Sequence, residues 1–388
     1  LKSYAARAPG AEHEPLSNGL PSTARAARRL QFFPHPGLPP GKSPARVGPR
    51  GPGPFCDREA SCAQGKPPSS CAASAPVTGT VRRRCTLPPW FPTSQRMPKL
   101  FSVIIPTYNR GDVVGEAIRS VLDQSFTDYE VVIVDDGSSD DTASAVASLL
   151  DDGRVQYHLK AHSGAADTRN WGVARSRGKF ITFLDSDDLA TPSWLDRFHE
   201  MINNGALVGS CAVRLVAPSE TYLSYPEDKG PMFYNAIMKF TNGGSYFLRR
   251  DLFEAVGGFD PVLRAGQHTE LGLRVAEYCH NEGIALDYIR EPLVTIRRMR
   301  SDHIRNDDES VFQGARHFLR KHREKLELDK DSLYDYLSVV LVRGRHQPLA
   351  EVFGSAVELW KLRPFSLKTY LRLAKWLVVM RLVGSRRT

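Results

Sequence analysis

From Phe101 the chain alternates short apolar runs with stretches whose apolar residues recur every three to four positions. Ser102-Val103-Ile104-Ile105 is a β-branched run closed by Pro106, followed by a helical pattern through Val113, Val114, Ala117, Ile118, Val121 and Leu122. Val131-Val132-Ile133-Val134 is a second run; it ends in Asp135-Asp136-Gly137-Ser138-Ser139, and a helix is expected from near Asp140. A third strand is expected from Val155 to Leu159, a helix from Ala165 to Ala174 and a fourth strand from Phe180 to Leu184, and Thr191 reads as the cap of a helix with Pro192 in its first turn. Strands that are apolar on both faces and alternate with helices predict an α/β fold whose mostly parallel sheet is covered on both sides.

In such sheets ligands bind beyond the carboxyl ends of the strands. The residues expected there are polar: Thr107-Tyr108-Asn109-Arg110 after the first strand, Asp135-Asp136 after the second and Asp185-Ser186-Asp187-Asp188 after the fourth. Carboxylates gathered on one edge repel unless a cation or hydrogen-bond donors compensate. Asp185-Ser186-Asp187 sets two of them on a tight turn, which suits a hard divalent ion with open positions for phosphate oxygens. The plainer reading, that Asp187 and Asp188 cap the next helix, needs only one carboxylate, and Thr191 already supplies a cap.

Composition changes where the chain's charge is placed. The formal net charge is +9, yet residues 1–96 hold 14 Lys and Arg against 4 Asp and Glu, while the other 292 residues hold 38 against 39. The basic character thus belongs to the leader, which also holds 17 of the 27 prolines and lacks hydrophobic periodicity, so 1–96 is expected to be disordered. It has no apolar run of secretory-signal type; a transit peptide would suit its Arg content but not its missing amphipathic helix. Cys56, Cys62, Cys71 and Cys85 match no paired zinc-ligand spacing. The first methionine is Met97, where the ordered pattern starts, so translated upstream sequence with Met97 as functional start is the expectation. A nucleic-acid-binding role rests on this leader alone, and no specific nucleic acid is expected. The chain has no G-x-x-x-x-G-K-[ST] loop and no dinucleotide fingerprint, which excludes P-loop and dehydrogenase chemistry.

Four segments in order, Ser102-Val103-Ile104-Ile105-Pro106-Thr107-Tyr108-Asn109, Val134-Asp135-Asp136-Gly137-Ser138-Ser139-Asp140-Asp141-Thr142, Ala166-Asp167-Thr168-Arg169-Asn170-Trp171-Gly172 and Phe183-Leu184-Asp185-Ser186-Asp187-Asp188, resemble the successive motifs of the family 2 glycosyltransferases, which have the GT-A fold. The likeness covers roughly residues 99–205 and continues more weakly to about 300. It implies a nucleotide-diphosphate sugar donor and a divalent metal, Mn2+ or Mg2+. It also implies that Pro106, Tyr108 and Asn109 line the nucleoside pocket, Asp136 hydrogen-bonds the base, Arg169 lies near the nucleotide, Asp185 faces the ribose or sugar and Asp187 binds the metal.

The pattern breaks after Val256-Gly257-Gly258-Phe259-Asp260-Pro261, where Gln267 and His268 stand in the places of the family's Glu-Asp pair, whose Asp is the general base. Three readings follow. His268 serves as the base, since an imidazole with an unperturbed pKa near 6.5 suits proton abstraction at neutral pH. Glu270 serves instead, although two positions along a helix turn it about 200° away. Or the base is missing, and the protein binds a nucleotide sugar with impaired catalysis. His303, in Arg297-Arg298-Met299-Arg300-Ser301-Asp302-His303, is a candidate late metal ligand, and the neighbouring arginines suit a diphosphate clamp.

From about residue 311 helices are expected, with breaks near Gly344, Pro348 and Pro364. The stretch 367–383 carries four cations within 17 residues, too charged to span a bilayer, and reads either as a peripheral membrane contact or as a helix packed on the catalytic domain. The expectation is a leader at 1–96, a GT-A domain at 97–310 and a helical extension at 311–388. The expected activity is inverting transfer of a sugar to a hydroxyl of a cell-surface glycan or lipid-linked precursor, on the cytoplasmic side.

Overall fold

The computed structural model describes residues 98–298 and 307–384; the expectations for the leader and for His303 lie outside them. Strands β1 (Phe101–Thr107), β2 (Tyr129–Asp135), β3 (Val155–Leu159) and β4 (Phe180–Phe183) alternate with helices α1 (Val114–Leu122), α2 (Thr142–Ala147) and α3 (Ala165–Arg175). After β5 (Leu189–Ala190) come α4 (Trp194–Asn203), β6 (Val208–Val216), β7 (Thr221–Ser224), β8 (Glu227–Asp228), β9 (Ile237–Met238), β10 (Tyr246–Arg249) and α5 (Arg250–Ala255). Then follow α6 (Gln267–Glu282), β11 (Asp287–Arg297) and five helices, α7 (Asp308–Lys321), α8 (Arg323–Leu328), α9 (Lys330–Arg343), α10 (Leu349–Leu362) and α11 (Leu367–Gly384).

The main sheet has the order β3-β2-β1-β4-β10-β6-β11-β5, with β7 on β6. Its first four strands pair in parallel, as their two-faced apolarity predicts. The second half is mixed, because β10 enters antiparallel to both β4 and β6, while β6 and β11 run parallel. β1 and β2 are buried along their whole length, and the two are in register from Phe101 opposite Tyr129 to Thr107 opposite Asp135. That register brings the polar strand ends to one level. Two cores flank the sheet. One holds Val103, Ile105, Trp194 and Phe198; the other runs from Ile104 and Phe183 through Leu271 to Leu337 and Trp376, so the C-terminal helices share a core with the sheet. Helix α3 closes on that second face through Gly172, where an added Cβ would stand 2.5 Å from Ile104 Cγ2.

The expected cap at Thr191 is corrected. Helix α4 starts at Trp194 after Ser193, with no side-chain cap, and the buried Thr191 Oγ1 has no partner among the described residues. Its backbone joins β11 instead, Thr191 N donating to Leu293 O at 2.9 Å.

Candidate active site

Two clusters form at the carboxyl ends of the parallel strands. The first is built by β1, β2 and β3. Pro106 is buried in β1 beside Val134, and Asp136, just past β2, donates its N–H to Thr107 O. Asn109 takes a left-handed conformation (φ 50°), which asparagine tolerates because its short side chain bonds locally. Its N–H donates to Ser138 Oγ (2.8 Å), and its Oδ1 accepts from Ser139 N (2.9 Å). The half-exposed Tyr108 ring lies on His162, centroids 4.4 Å apart.

Asp136 is buried, and its carboxylate accepts from Lys160 Nζ (2.6 Å), Ser163 N (2.9 Å) and Gly164 N (2.8 Å). Burial raises a carboxyl's pKa, but here the hydrogen bonds from Lys160, Ser163 and Gly164 outweigh it and hold Asp136 below its ordinary value. Lys160 carries no motif; it arrives because β3 extends the parallel sheet and Lys160 N donates to Asp135 O.

The second cluster joins α3, the end of β4 and the start of α6. The buried Arg169 donates through one guanidinium nitrogen to Asp185 (2.6 Å) and through the other to Gln267 Oε1 (2.7 Å). Gln267 therefore fixes the arginine that faces the acidic turn, a neutral partner where the resemblance leads one to expect an acid. His268 is next to it, nearly buried, with Nδ1 2.8 Å from the Tyr246 hydroxyl and its ring edge-on to Phe259 at 5.3 Å.

Glu270 is removed from the candidates for base. Its carboxylate is fully buried and bonded to Arg274 (2.7 and 2.9 Å), Lys321 (2.9 Å) and His322 (3.0 Å). Burial works against the charge, yet the hydrogen bonds from His322 and Arg274 keep the carboxyl well below the usual range. The helical phase that turns it from His268 points it toward α7.

The turn Asp185-Ser186-Asp187-Asp188 is closed by Asp188 N donating to Asp185 O (3.0 Å). Asp188, read from sequence only as an alternative helix cap, is buried and accepts from Arg297 N (3.1 Å), while Arg297 Nε donates to Asp187 O (2.6 Å). It therefore ties the turn to the end of β11 rather than capping α4. Burial, with the charges of Asp185 and Asp187 beside it, pushes the Asp188 carboxyl well above the usual range.

Among the described residues no group of three or more His, Cys, Asp and Glu is placed to hold a metal ion. Asp185 and Asp187 are hard oxygen donors of the kind a divalent ion takes, and Asp185 already accepts from Arg169 at 2.6 Å.

Residues 102–257 match the model of glycosyl transferase family 2. The GalNAc(5)-diNAcBac-PP-undecaprenol beta-1,3-glucosyltransferase of Campylobacter jejuni is 40% identical over 122 residues, 30% of this chain and 39% of that protein. An Escherichia coli protein named as the colanic acid biosynthesis glycosyl transferase WcaA is 29% identical over 59% of this chain and 83% of its own length. Among solved structures, mannosyltransferase PcManGT from Pyrobaculum calidifontis, in complex with GDP-Man and Mn2+, superposes with a TM-score of 0.49 at 17% identity, over 74% of this chain and 87% of that one.

Proposed function

Because the chain belongs to glycosyl transferase family 2 through residues 102–257, we propose that this GT-A enzyme transfers one sugar, with inversion, from a nucleotide-diphosphate sugar to a hydroxyl of a cell-surface glycan or its lipid-linked precursor. The single observation that carries the reading is the convergence of both clusters on one sheet edge, the buried Asp136 on one side and Arg169 with Asp185 and Gln267 on the other. The lipid-linked substrate in the name of the Campylobacter relative supports the acceptor class and a peripheral contact with a membrane.

In this reading Pro106, Tyr108 and Asn109 wall the nucleoside pocket, and Asp136 accepts a hydrogen bond from the base. Arg169 sits at the nucleotide with its fork already oriented by Asp185 and Gln267, so little side-chain freedom is lost on binding. Asp187, with Asp185, would hold Mn2+ or Mg2+, which supplies positive charge to the departing diphosphate. The acceptor oxygen forms its bond to the anomeric carbon as the bond to the diphosphate breaks, and the diphosphate leaves with the electron pair. The hydroxyl proton goes to His268 Nε2, while Nδ1–H donates to the Tyr246 oxygen.

One observation favours a second reading. Among the described residues His268 Nδ1 is the hydrogen-bond partner of the buried Tyr246 hydroxyl. A phenol that donates to Nδ1 leaves the proton on Nε2, and such a histidine takes no proton from an acceptor; the protein then binds donor with impaired catalysis. A thermal-shift screen of nucleotide sugars with and without Mn2+ tests donor binding. Transfer assays on His268→Ala separate the readings: a fall of about 10² to 10⁴ in rate supports His268 as base, and unchanged transfer removes it.

A further inference from the structure

Helix α11 is apolar on two sides. Thr369 and Trp376 are buried against the core, while Leu367, Tyr370, Leu371 and Leu377 are exposed on the opposite side, within an arc of about 120° at 100° per residue. Helix α10 instead carries one continuous apolar arc of about 160°, half of it turned inward. Val352, Ala356 and Leu359 are buried, and Leu349, Phe353, Val357 and Trp360 are exposed within about 80°. The turn between the helices carries Phe365, 97% exposed, followed by Leu367 at 73%, with Trp360 at 46% before it and Leu371 at 62% after it. Scattered exposed apolar residues are ordinary; two consecutive helices with outward apolar stripes and an aromatic tip between them are not.

Charge identifies the occupant. Residues 359–388 contain 8 Lys and Arg and no Asp or Glu, whereas 97–358 hold 30 Lys and Arg against 39 Asp and Glu. Lys361 and Lys368, on either side of Phe365, are exposed. A protein partner with an apolar patch would not require this separation of charge. An anionic bilayer surface does use it: the exposed Lys361 and Lys368 would meet lipid phosphates while the apolar stripes enter the acyl boundary, whereas Arg363 is held by Asp331. Tryptophan, tyrosine and phenylalanine are the side chains such an interface takes at headgroup level. No helix among the described residues is long and apolar enough to cross a membrane, so the contact is one that lies on the surface.

We propose that the outward face of α10, the Phe365 turn and the outward face of α11 form a docking surface for an anionic lipid bilayer, with Phe365 as its inserted anchor. The proposal extends the expected contact through 367–383 to α10, and it rests on the proposed function only for its purpose, presenting the site to a lipid-linked acceptor.

Flotation of the full chain with phosphatidylglycerol/phosphatidylcholine vesicles, against phosphatidylcholine alone, tests it. The chain is expected to float with the anionic vesicles and to be released by salt. Since residues 1–96 carry their own positive charge, the deciding comparison is between variants. Phe365→Ser with Leu371→Ser is expected to lower the partition coefficient at least about tenfold. Lys361→Glu with Lys368→Glu is expected to remove the preference for anionic lipid. All four side chains are exposed, so the thermal melts of both variants should match the parent. Parental flotation of the serine variant overturns the proposal. So does a self-associating chain that the serine changes make monomeric without changing flotation, because the face would then join two copies. Nucleotide-sugar thermal shifts on the same samples read the transferase assignment separately, so either can fail alone.

Discussion

At Asp136 the proposed donor recognition and the folding of the site fall on one side chain. Its carboxylate takes bonds from Lys160, Ser163 and Gly164 while buried, so removing it strands a cation and two amides. Asp136→Ala is expected to abolish the nucleotide-dependent thermal shift and to cost about 1–3 kcal/mol in urea unfolding. The pH dependence has a fixed sign. A carboxyl held below its ordinary value contributes stability that is complete above the unfolded pKa, about 3.9 for aspartate, and lost as pH falls through the lower folded value. The stability gap between parent and variant should therefore be constant from neutral pH down to about 5 and shrink below about 4. Tyr246 bears on the proton. If Nδ1–H of His268 donates to it, Tyr246→Phe should lower kcat about tenfold and leave the donor KM unchanged; a rise in kcat would mean that the phenol had been holding the proton on Nε2. Asp136 and Asp185 were legible because they end apolar strands. Lys160 and Tyr246 were not, since their roles come from a neighbouring strand's register and from a packed helix that no local pattern records.

At the scale of elements, the alternation of β-branched runs and helical stretches predicts β1 to β4 and α1 to α3 because each strand is apolar on both faces. The same logic is silent on direction. Tyr246-Phe247-Leu248 reads alike whether β10 enters parallel or antiparallel, and only the structure shows it reversing the sheet. Thr191 fails as a cap because α4 begins beyond it, at Trp194 after Ser193, where Thr191 Oγ1 accepts no helix N–H, and its own N–H joins Leu293 O of β11. Two tests address element packing. Gly172→Ala brings a methyl to 2.5 Å from Ile104 Cγ2 and 3.0 Å from Val134 Cγ2, which pushes α3 from the sheet. It should cost about 1–3 kcal/mol and weaken donor binding, since α3 carries Arg169. Glu270 bonds Arg274 within α6, Lys321 of α7 and His322 just after it, so Glu270→Gln removes the buried anion that Arg274 and Lys321 share. A loss of about 3–5 kcal/mol in chemical unfolding is expected, with any effect on transfer following from displaced Gln267 and His268.

Across the whole molecule, the catalytic sheet and the C-terminal helices are bound by more than proximity. One continuous apolar cluster runs from Ile104 and Phe183 to Leu337 and Trp376, and a charged seam of Asp260, Glu270, His317, Lys321 and His322 closes over α6 and α7. In the proposed reading a nucleotide sugar binds at the sheet edge, yet a ligand that binds the native state alone stabilises every part that unfolds with it. Scanning calorimetry should accordingly give one main transition for sheet and helices, with calorimetric and van't Hoff enthalpies in agreement. A saturating nucleotide sugar should move that whole transition upward. Hydrogen exchange checks the same coupling locally, because amides of α9 should gain protection from a donor they do not touch. Two transitions of which only one responds to nucleotide sugar would mean that the seam and the shared core are too weak to join the parts. The C-terminal helices would then be an appended module rather than the support that holds α6, and with it Gln267 and His268, against the acidic turn.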